Sequence, residues 1–268
     1  MKYPITGMLG IAAFLLAAPL AANAADLAVK APPPAPVVYD WTGFYLDVGA
    51  GWQYDQFNWT YTNFVPAQNP FSLSHGGGSI TGHVGYQQQF GWVVVGGEIG
   101  AFRSMNGNAA SIVSPGGGAV AGPCNNLGGY TCRASIDYAT LAGGKLGVDW
   151  GNWLFYGVGG VAFNSNISTQ AFLPSGLLSD VGGQQSAHGW YIGAGLDYLL
   201  LKTRFGDLIT GVEYEHVSFG TVTQCTVPTP ASAIVTGCPG TPAADARLIS
   251  AKEDAVWGKL TLKFNPFN

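Results

Sequence analysis

From Trp41 onward, apolar residues recur at every second position rather than every third or fourth. A period of two belongs to a β-strand, whose side chains alternate between two faces. The clearest run sets Phe44, Leu46, Val48, Ala50, Trp52 and Tyr54 against Tyr45, Asp47, Gly49, Gly51, Gln53 and Asp55. The pattern predicts eight strands, at 44–55, 79–89, 92–103, 135–149, 153–163, 188–200, 208–219 and 255–264. In the second, Ile80, Val84 and Tyr86 oppose His83 and Gly85; in the third, Val93, Val95 and Ile99 oppose Glu98. In the fourth, Ile136, Tyr138, Leu146 and Val148 oppose Asp137, Lys145 and Asp149. The fifth is apolar on both faces, which leaves its parity open. In the sixth, Trp190, Ile192, Ala194, Leu196 and Tyr198 oppose Tyr191, Gly193, Gly195 and Asp197. The seventh sets Val212 and Tyr214 against Glu213 and Glu215. The eighth sets Val256, Leu260, Leu262 and Phe264 against Lys259, Thr261 and Lys263.

Strands of a soluble sandwich also alternate, so the connections decide. They run long, short, long, short, long, short, long. The long ones are 56–78, 104–134, 164–187 and 220–254; the short ones are Phe90-Gly91, Trp150–Asn152 and Leu201–Asp207. This is the rhythm of an all-β, eight-stranded, antiparallel up-and-down transmembrane β-barrel with short periplasmic turns and four long outer loops. The apolar face then points to lipid and the small or polar face to the lumen. Trp41, Phe44, Phe90, Trp92, Trp150, Trp153 and Phe264 gather at the short-turn side, and Trp52, Tyr54, Phe102, Tyr138 and Phe163 at the other. Two such clusters match the interfacial girdles of membrane barrels.

Composition narrows the class. Only 10% of the 268 residues are charged while 47% are apolar, which excludes a disordered chain. The net charge of −4 argues against nucleic acid as a partner. The one long apolar stretch, Met8 to Ala22, follows Lys2, contains Pro19 and ends in Ala22-Asn23-Ala24. That is the layout of an export signal over residues 1–24, too short for a membrane-spanning helix. A proline-rich segment follows, Ala31 to Pro36, and residues 25–40 read as an extended periplasmic arm before a barrel at 41–268.

The run Ala25-Asp-Leu-Ala-Val-Lys-Ala-Pro-Pro-Pro, then Tyr39-Asp-Trp-Thr-Gly-Phe-Tyr45, carries a resemblance. So do Gly82–Tyr86, Val95–Glu98, Leu154–Phe163 and Gly189–Gly195. Together these resemble the small alphaproteobacterial outer-membrane proteins, the porin-family immunogenic surface barrels. The resemblance implies an eight-stranded barrel in the outer membrane of a Gram-negative bacterium, with envelope integrity, immune exposure, haemin binding or weak pore activity among the family's functions. Two features depart from the family. Asn265-Pro-Phe-Asn268 follows Phe264, where relatives usually end on a strand-terminal aromatic, and there are four cysteines.

Cys124 and Cys132 share the second long loop, Cys225 and Cys238 the fourth. An even count in an exported chain points to disulfides, and a shared loop to the pairs Cys124–Cys132 and Cys225–Cys238. His216-Val-Ser218 places a histidine and a serine on one outward strand face near the outer leaflet. Lipid A deacylases carry such a pair, but there Asn-Ala follows the serine and here Phe219-Gly220 does. No enzyme is expected. His75, His83 and His188 share no ligand spacing, so no metal or cofactor is expected.

The inward face holds the remaining candidate chemistry. Asp47, Glu98, Asp137, Asp149, Asp197, Glu213 and Glu215 outnumber Lys145, Lys259 and Lys263. Charges inside a narrow barrel must be paired or hydrated. Strands paired in order set Glu98 diagonally from Lys145, Glu213 beside Lys259, and Asp47 within reach of Lys259 and Lys263. The expectation is a polar plug through which any leak favours cations. The chain is thus expected to be a structural, surface-presenting barrel with at most a narrow pore, and a small-solute porin is the alternative. A haemin receptor and a lipid A deacylase are more distant. Its expected partners are outer-membrane lipids, lipopolysaccharide and the barrel-assembly machinery.

Overall fold

The computed structural model describes residues 39–61, 71–105, 109–113, 131–136, 138–172, 175, 177–228 and 246–264. The expected export signal over residues 1–24, the proline-rich run, Cys124, Cys238, Asp137 and the residues after Phe264 lie outside them. The strands are β1 (Gly43–Tyr61), β2 (Phe71–Phe90), β3 (Val93–Ser104), β4 (Ala109–Val113), β5 (Thr131–Ile136), β6 (Tyr138–Trp150), β7 (Trp153–Phe172), β8 (Leu178–Thr203), β9 (Gly206–Pro228) and β10 (Ala246–Phe264). Neighbours run β7–β6–β3–β2–β1–β10–β9–β8, and β8 pairs back onto β7, closing an antiparallel ring of eight. β5 continues the line of β6 along β7, with Ile136 opposite Ile167 and Ala139 opposite Asn164. β4 pairs with β5 and so continues the line of β3, as β5 continues that of β6.

Three tight turns close one end. Gly91 and Gly151 stand at φ 63° and 69°, the left-handed region where a side chain is disfavoured. The third turn is shorter than the expected 201–207, because Thr203 already pairs with Gly206. Alternation holds as expected: Phe44, Leu46, Val48 and Trp52 face outward while Tyr45, Asp47 and Gln53 are buried within. The undecided fifth strand puts Leu154, Tyr156 and Val158 inside and Phe155, Val161 and Phe163 outside. At ~3.4 Å per residue and a tilt of ~40°, Phe44 to Tyr54 cover about 25 Å of axial height, the span of a membrane barrel's apolar band.

The strands run well past the predicted ends, through much of the expected long loops. The reason is a change of phase. Beyond Asp55 the period of two persists, but the apolar residues turn inward. Phe57 and Trp59 are buried while Gln56 is exposed; Leu73 is buried between exposed Ser72 and Ser74. Val217, Phe219, Ile249 and Ala251 join this inner group, and Lys252, Thr221 and Thr223 face out. The barrel therefore has two stacked zones. One is apolar outside and polar inside. The other is polar outside with an apolar core.

Three expectations about individual residues are corrected. Phe102 shares the inward parity of Glu98 and packs on Trp257, ring centroids 5.8 Å apart, instead of joining the girdle. Trp41 is fully buried, for reasons given below. Ile136 is buried although Tyr138, two residues on, is exposed. The register of β7 on β8 slips between Asn164 and Ile167, both buried, and β5–β6 beside it changes face at the same level.

The two zones predict opposite tolerances to charge. Leu260→Arg, on the apolar belt, should cost ~2–4 kcal/mol in a urea titration in lipid vesicles. Gln56→Arg, on the polar outer wall, should stay within ~0.5 kcal/mol. Equal costs at the two sites would contradict the zoning.

Candidate functional site

The candidate site is the interior of the zone nearest the short turns, the lower one, which is apolar outside and polar inside. Each of its side chains is placed by strand parity: Tyr45 and Asp47 from β1, His83 from β2, Glu98 from β3 and Lys145 from β6. Tyr156 comes from β7, Asp197 from β8, Glu213 and Glu215 from β9, Lys259 and Lys263 from β10. Inward glycines make room for them. An added Cβ at Gly100 would lie 1.9 Å from the His83 ring, at Gly195 2.3 Å from Tyr156, and at Gly211 2.2 Å from the Asp197 carboxylate.

Two ion-pair centres occupy the middle. Lys145 Nζ lies 3.3 Å from Asp197 Oδ2 and 3.8 Å above the Tyr156 ring. Lys259 is in close contact with Glu213 and 3.7 Å from Asp47 Oδ2. Tyr156 joins the centres, donating its hydroxyl to Glu213 at 2.5 Å with Asp197 3.3 Å away. Tyr45 donates to Glu98 at 2.6 Å. His83 Nδ1 stands 2.8 Å from Asp47 Oδ1.

The short-turn mouth is closed from within. The Trp41 indole N–H donates to Asp149 at 3.0 Å, and its backbone N–H to Gln89 at 2.7 Å. Gln89 donates in turn to Asp149, and Gln87 to the Trp41 carbonyl. Tyr39 packs edge-on against Trp41 and donates to Asp207 at 2.6 Å. Burial, with the Asp207 carboxylate beside it, pushes the Tyr39 phenol well above its ordinary pKa. Lys263 donates to the carbonyls of Asp40 and Thr42 and lies 3.4 Å from Asp207.

Above the ion pairs, acids lack partners. Neither oxygen of Glu215 or of Glu253 meets a donor, and Asp55 is held by Gln53. Asp55 and Glu253 sit directly opposite each other across β1 and β10. Higher still, the apolar core fills the lumen.

Parity and strand order bring Lys259 to Glu213 and Asp47, the pairing set out from the sequence. Lys145 instead takes Asp197, two strands away around the ring, and Glu98 takes Tyr45. Lys263 takes Asp207 and backbone carbonyls rather than Asp47. The tilt of real strands moves side chains across the lumen by more than the nearest-neighbour construction allows. Tyr156 was missed because its strand is apolar on both faces, and Asp207 and Gln89 because they sit at strand ends where alternation gives no direction.

Neither Cys132 nor Cys225 carries a free thiol, and their expected partners Cys124 and Cys238 lie outside the described residues. His75 is half-buried and His188 exposed, on the outer reaches of β2 and β8. On the outer wall, His216 Nδ1 is 2.8 Å from Asp254, which also accepts from Tyr214 at 2.6 Å. Trp190 packs beside His216 at 5.4 Å. Among the described residues, no hydrogen bond joins His216 to Ser218.

Neither a protein-family model nor a curated protein matches the chain. Among solved structures, it is similar to the outer membrane protease OmpT of Escherichia coli, at 7% identity and TM-score 0.40, over 85% of this chain and 99% of that one. It is similar to the outer membrane protein OprG of Pseudomonas aeruginosa, at 10% identity and TM-score 0.39, over 83% and 97%. It is also similar to Neisserial surface protein A, at 12% identity and TM-score 0.31, over 83% and 98%. Identities this low carry no assignment of activity.

Lys145→Ala should lower stability by ~3–5 kcal/mol, since it strands Asp197 in the lumen. Lys202→Ala, on an exposed strand end, should change it by ~0–1 kcal/mol. Urea midpoints of the two variants, compared with the parent, check this.

Proposed function

We propose that this chain is a structural, surface-presenting barrel of the outer membrane of a Gram-negative bacterium, closed to solutes in its resting form. The observation that carries the reading is the filled interior: Tyr39 and Trp41 across the short-turn mouth, ion pairs above them, and an apolar core above those. Eight strands enclose little more than side-chain volume. The outward apolar belt and its two aromatic rings suit lipid. The resemblance of the strand motifs to the small alphaproteobacterial surface barrels agrees with this. Its partners are then outer-membrane lipids, lipopolysaccharide and the assembly machinery. Residues 1–24 direct export, and the pairs Cys124–Cys132 and Cys225–Cys238 tie the second and fourth outer segments.

His216, Tyr214 and Asp254 are part of this surface role rather than of catalysis. They form a polar cluster on the outer wall, beside Trp190, at the height where lipid headgroups begin. Asp254 holds the histidine by Nδ1, as a triad carboxylate would, but among the described residues no hydrogen bond links the ring to Ser218, so the pair that would activate the serine is not assembled. Lipid A from cells overexpressing the protein should keep every acyl chain. An acyl chain lost with the parent and retained with His216→Ala would make the cluster catalytic.

Single-channel recording of the disulfide-intact protein in a planar bilayer tests closure. The expected trace is flat, with rare openings that favour cations because inward acids outnumber inward bases. Trp41→Ala should make those openings more frequent. A steady open level in the unmodified protein would establish the small-solute porin instead.

A further inference from the structure

We infer that His83, Glu213 and Glu215 form a binding site for one divalent transition-metal ion, with Zn2+ as the fitting species, inside the barrel. One ligand atom from each of the three lies within 4.8 Å of the others, and all three residues are buried. The site spans the lumen. His83 is on β2 and the glutamates on β9, which are separated in the ring by β1 and β10.

Several polar atoms here face one another with few donors between them. His83 Nδ1 is held by Asp47 at 2.8 Å, and with the ring proton on Nδ1 the lone pair of Nε2 is presented to the cluster. Nε2 stands 4.0 Å from Glu215 Oε1. Its other neighbour is the Thr81 hydroxyl at 3.4 Å. Both oxygens of Glu215 and Oε1 of Glu213 meet no donor from any other residue, only each other's carboxyl. The surrounding charge does not compensate. Lys259 is engaged with the other oxygen of Glu213 and with Asp47, and Glu98 adds a further acid. Uncompensated buried carboxylates are costly, and a dication at their centre removes the cost.

The donor set selects the ion. One imidazole and two carboxylates suit Zn2+, which binds tightly with few ligands. Ca2+ and Mg2+ demand six or more oxygens. Ligand atoms around Zn2+ stand about 3–3.5 Å apart, so the two glutamates would draw inward by roughly an ångström, within reach of their flexible side chains. Asp47 behind the imidazole supplies the carboxylate–histidine support common at zinc sites. The ion would brace opposite walls of the barrel that share no backbone hydrogen bond.

The test uses the full chain folded in detergent, stripped with EDTA and dialysed against Zn2+, with bound metal measured by mass spectrometry. About one Zn2+ per chain is expected, with a higher urea midpoint than in EDTA. Glu215→Gln and His83→Gln should weaken binding about tenfold or more. Glu253→Gln, a buried acid outside the site, should leave it unchanged, as should replacing His75, His188 and His216 with Ala. The faster gel mobility of unheated barrels verifies folding of each variant. If a site variant does not fold, zinc-edge absorption of the parent decides, expected to show one imidazole nitrogen with oxygen ligands. A parent that retains no Zn2+, or binding equal in Glu215→Gln, would overturn the proposal and leave a proton shared between Glu213 and Glu215 as the compensating charge.

Discussion

A sheet that crosses lipid can leave no unpaired edge, because nothing in hydrocarbon replaces a lost backbone hydrogen bond. The pairing of β7 with β8 that closes the ring is therefore the contact on which the rest depends. Closure at eight strands sets a narrow lumen. A narrow lumen forces inward side chains into contact. Contact between charges in a dry interior then demands partners, and lysines from β6 and β10 supply them to acids from β1, β8 and β9. The glycines that line the same walls follow from the same crowding, since large rings such as those of His83, Tyr45 and Tyr156 need bare backbone beside them.

One chain satisfies two solvents by changing which face of the pleat is apolar. Below Asp55 lipid takes the apolar face; above it water takes the polar face and the lumen keeps the aromatics. The upper zone is thus a small polar-walled barrel built on an apolar-walled one by strands, β1, β7, β9 and β10, that run through both. The apolar core of Phe57, Trp59, Leu73 and Ile249 gives it the stability that lipid gives the lower zone.

This arrangement explains what was legible in the sequence. Alternation over Phe44–Tyr54 stands out because apolar residues meet polar or small ones at every step, and the eight strands and most of their faces follow from it, the parity of the fifth excepted. The strand extensions were hidden by their polar outer face: Gln56, Asn58, Ser72 and Ser74 have the composition of a loop, and only their spacing against Phe57, Trp59 and Leu73 marks a strand. The site divides in the same way. Parity identified the inward charges and strand order placed Lys259 beside Glu213. The partners of Lys145 depend on tilt and shear, which are properties of the closed ring and not of any one segment. The slip near Asn164, which turns Ile136 inward, has no local signature either.

The stretch from Tyr39 to Thr42 precedes the first strand, yet its contacts come from Gln87 and Gln89 of β2, Asp149 of β6, Asp207 of β9 and Lys263 of β10. Those residues converge only once the first and last strands have met. Seating of Trp41 is therefore a late event in folding that reports on completion of the ring, and a barrel with one hairpin unpaired has nowhere to put it. In kinetic terms the segment acts as a latch: it adds nothing to the nucleation of the sheet, but its release must precede or accompany parting of β1 from β10, which slows opening more than it speeds closing.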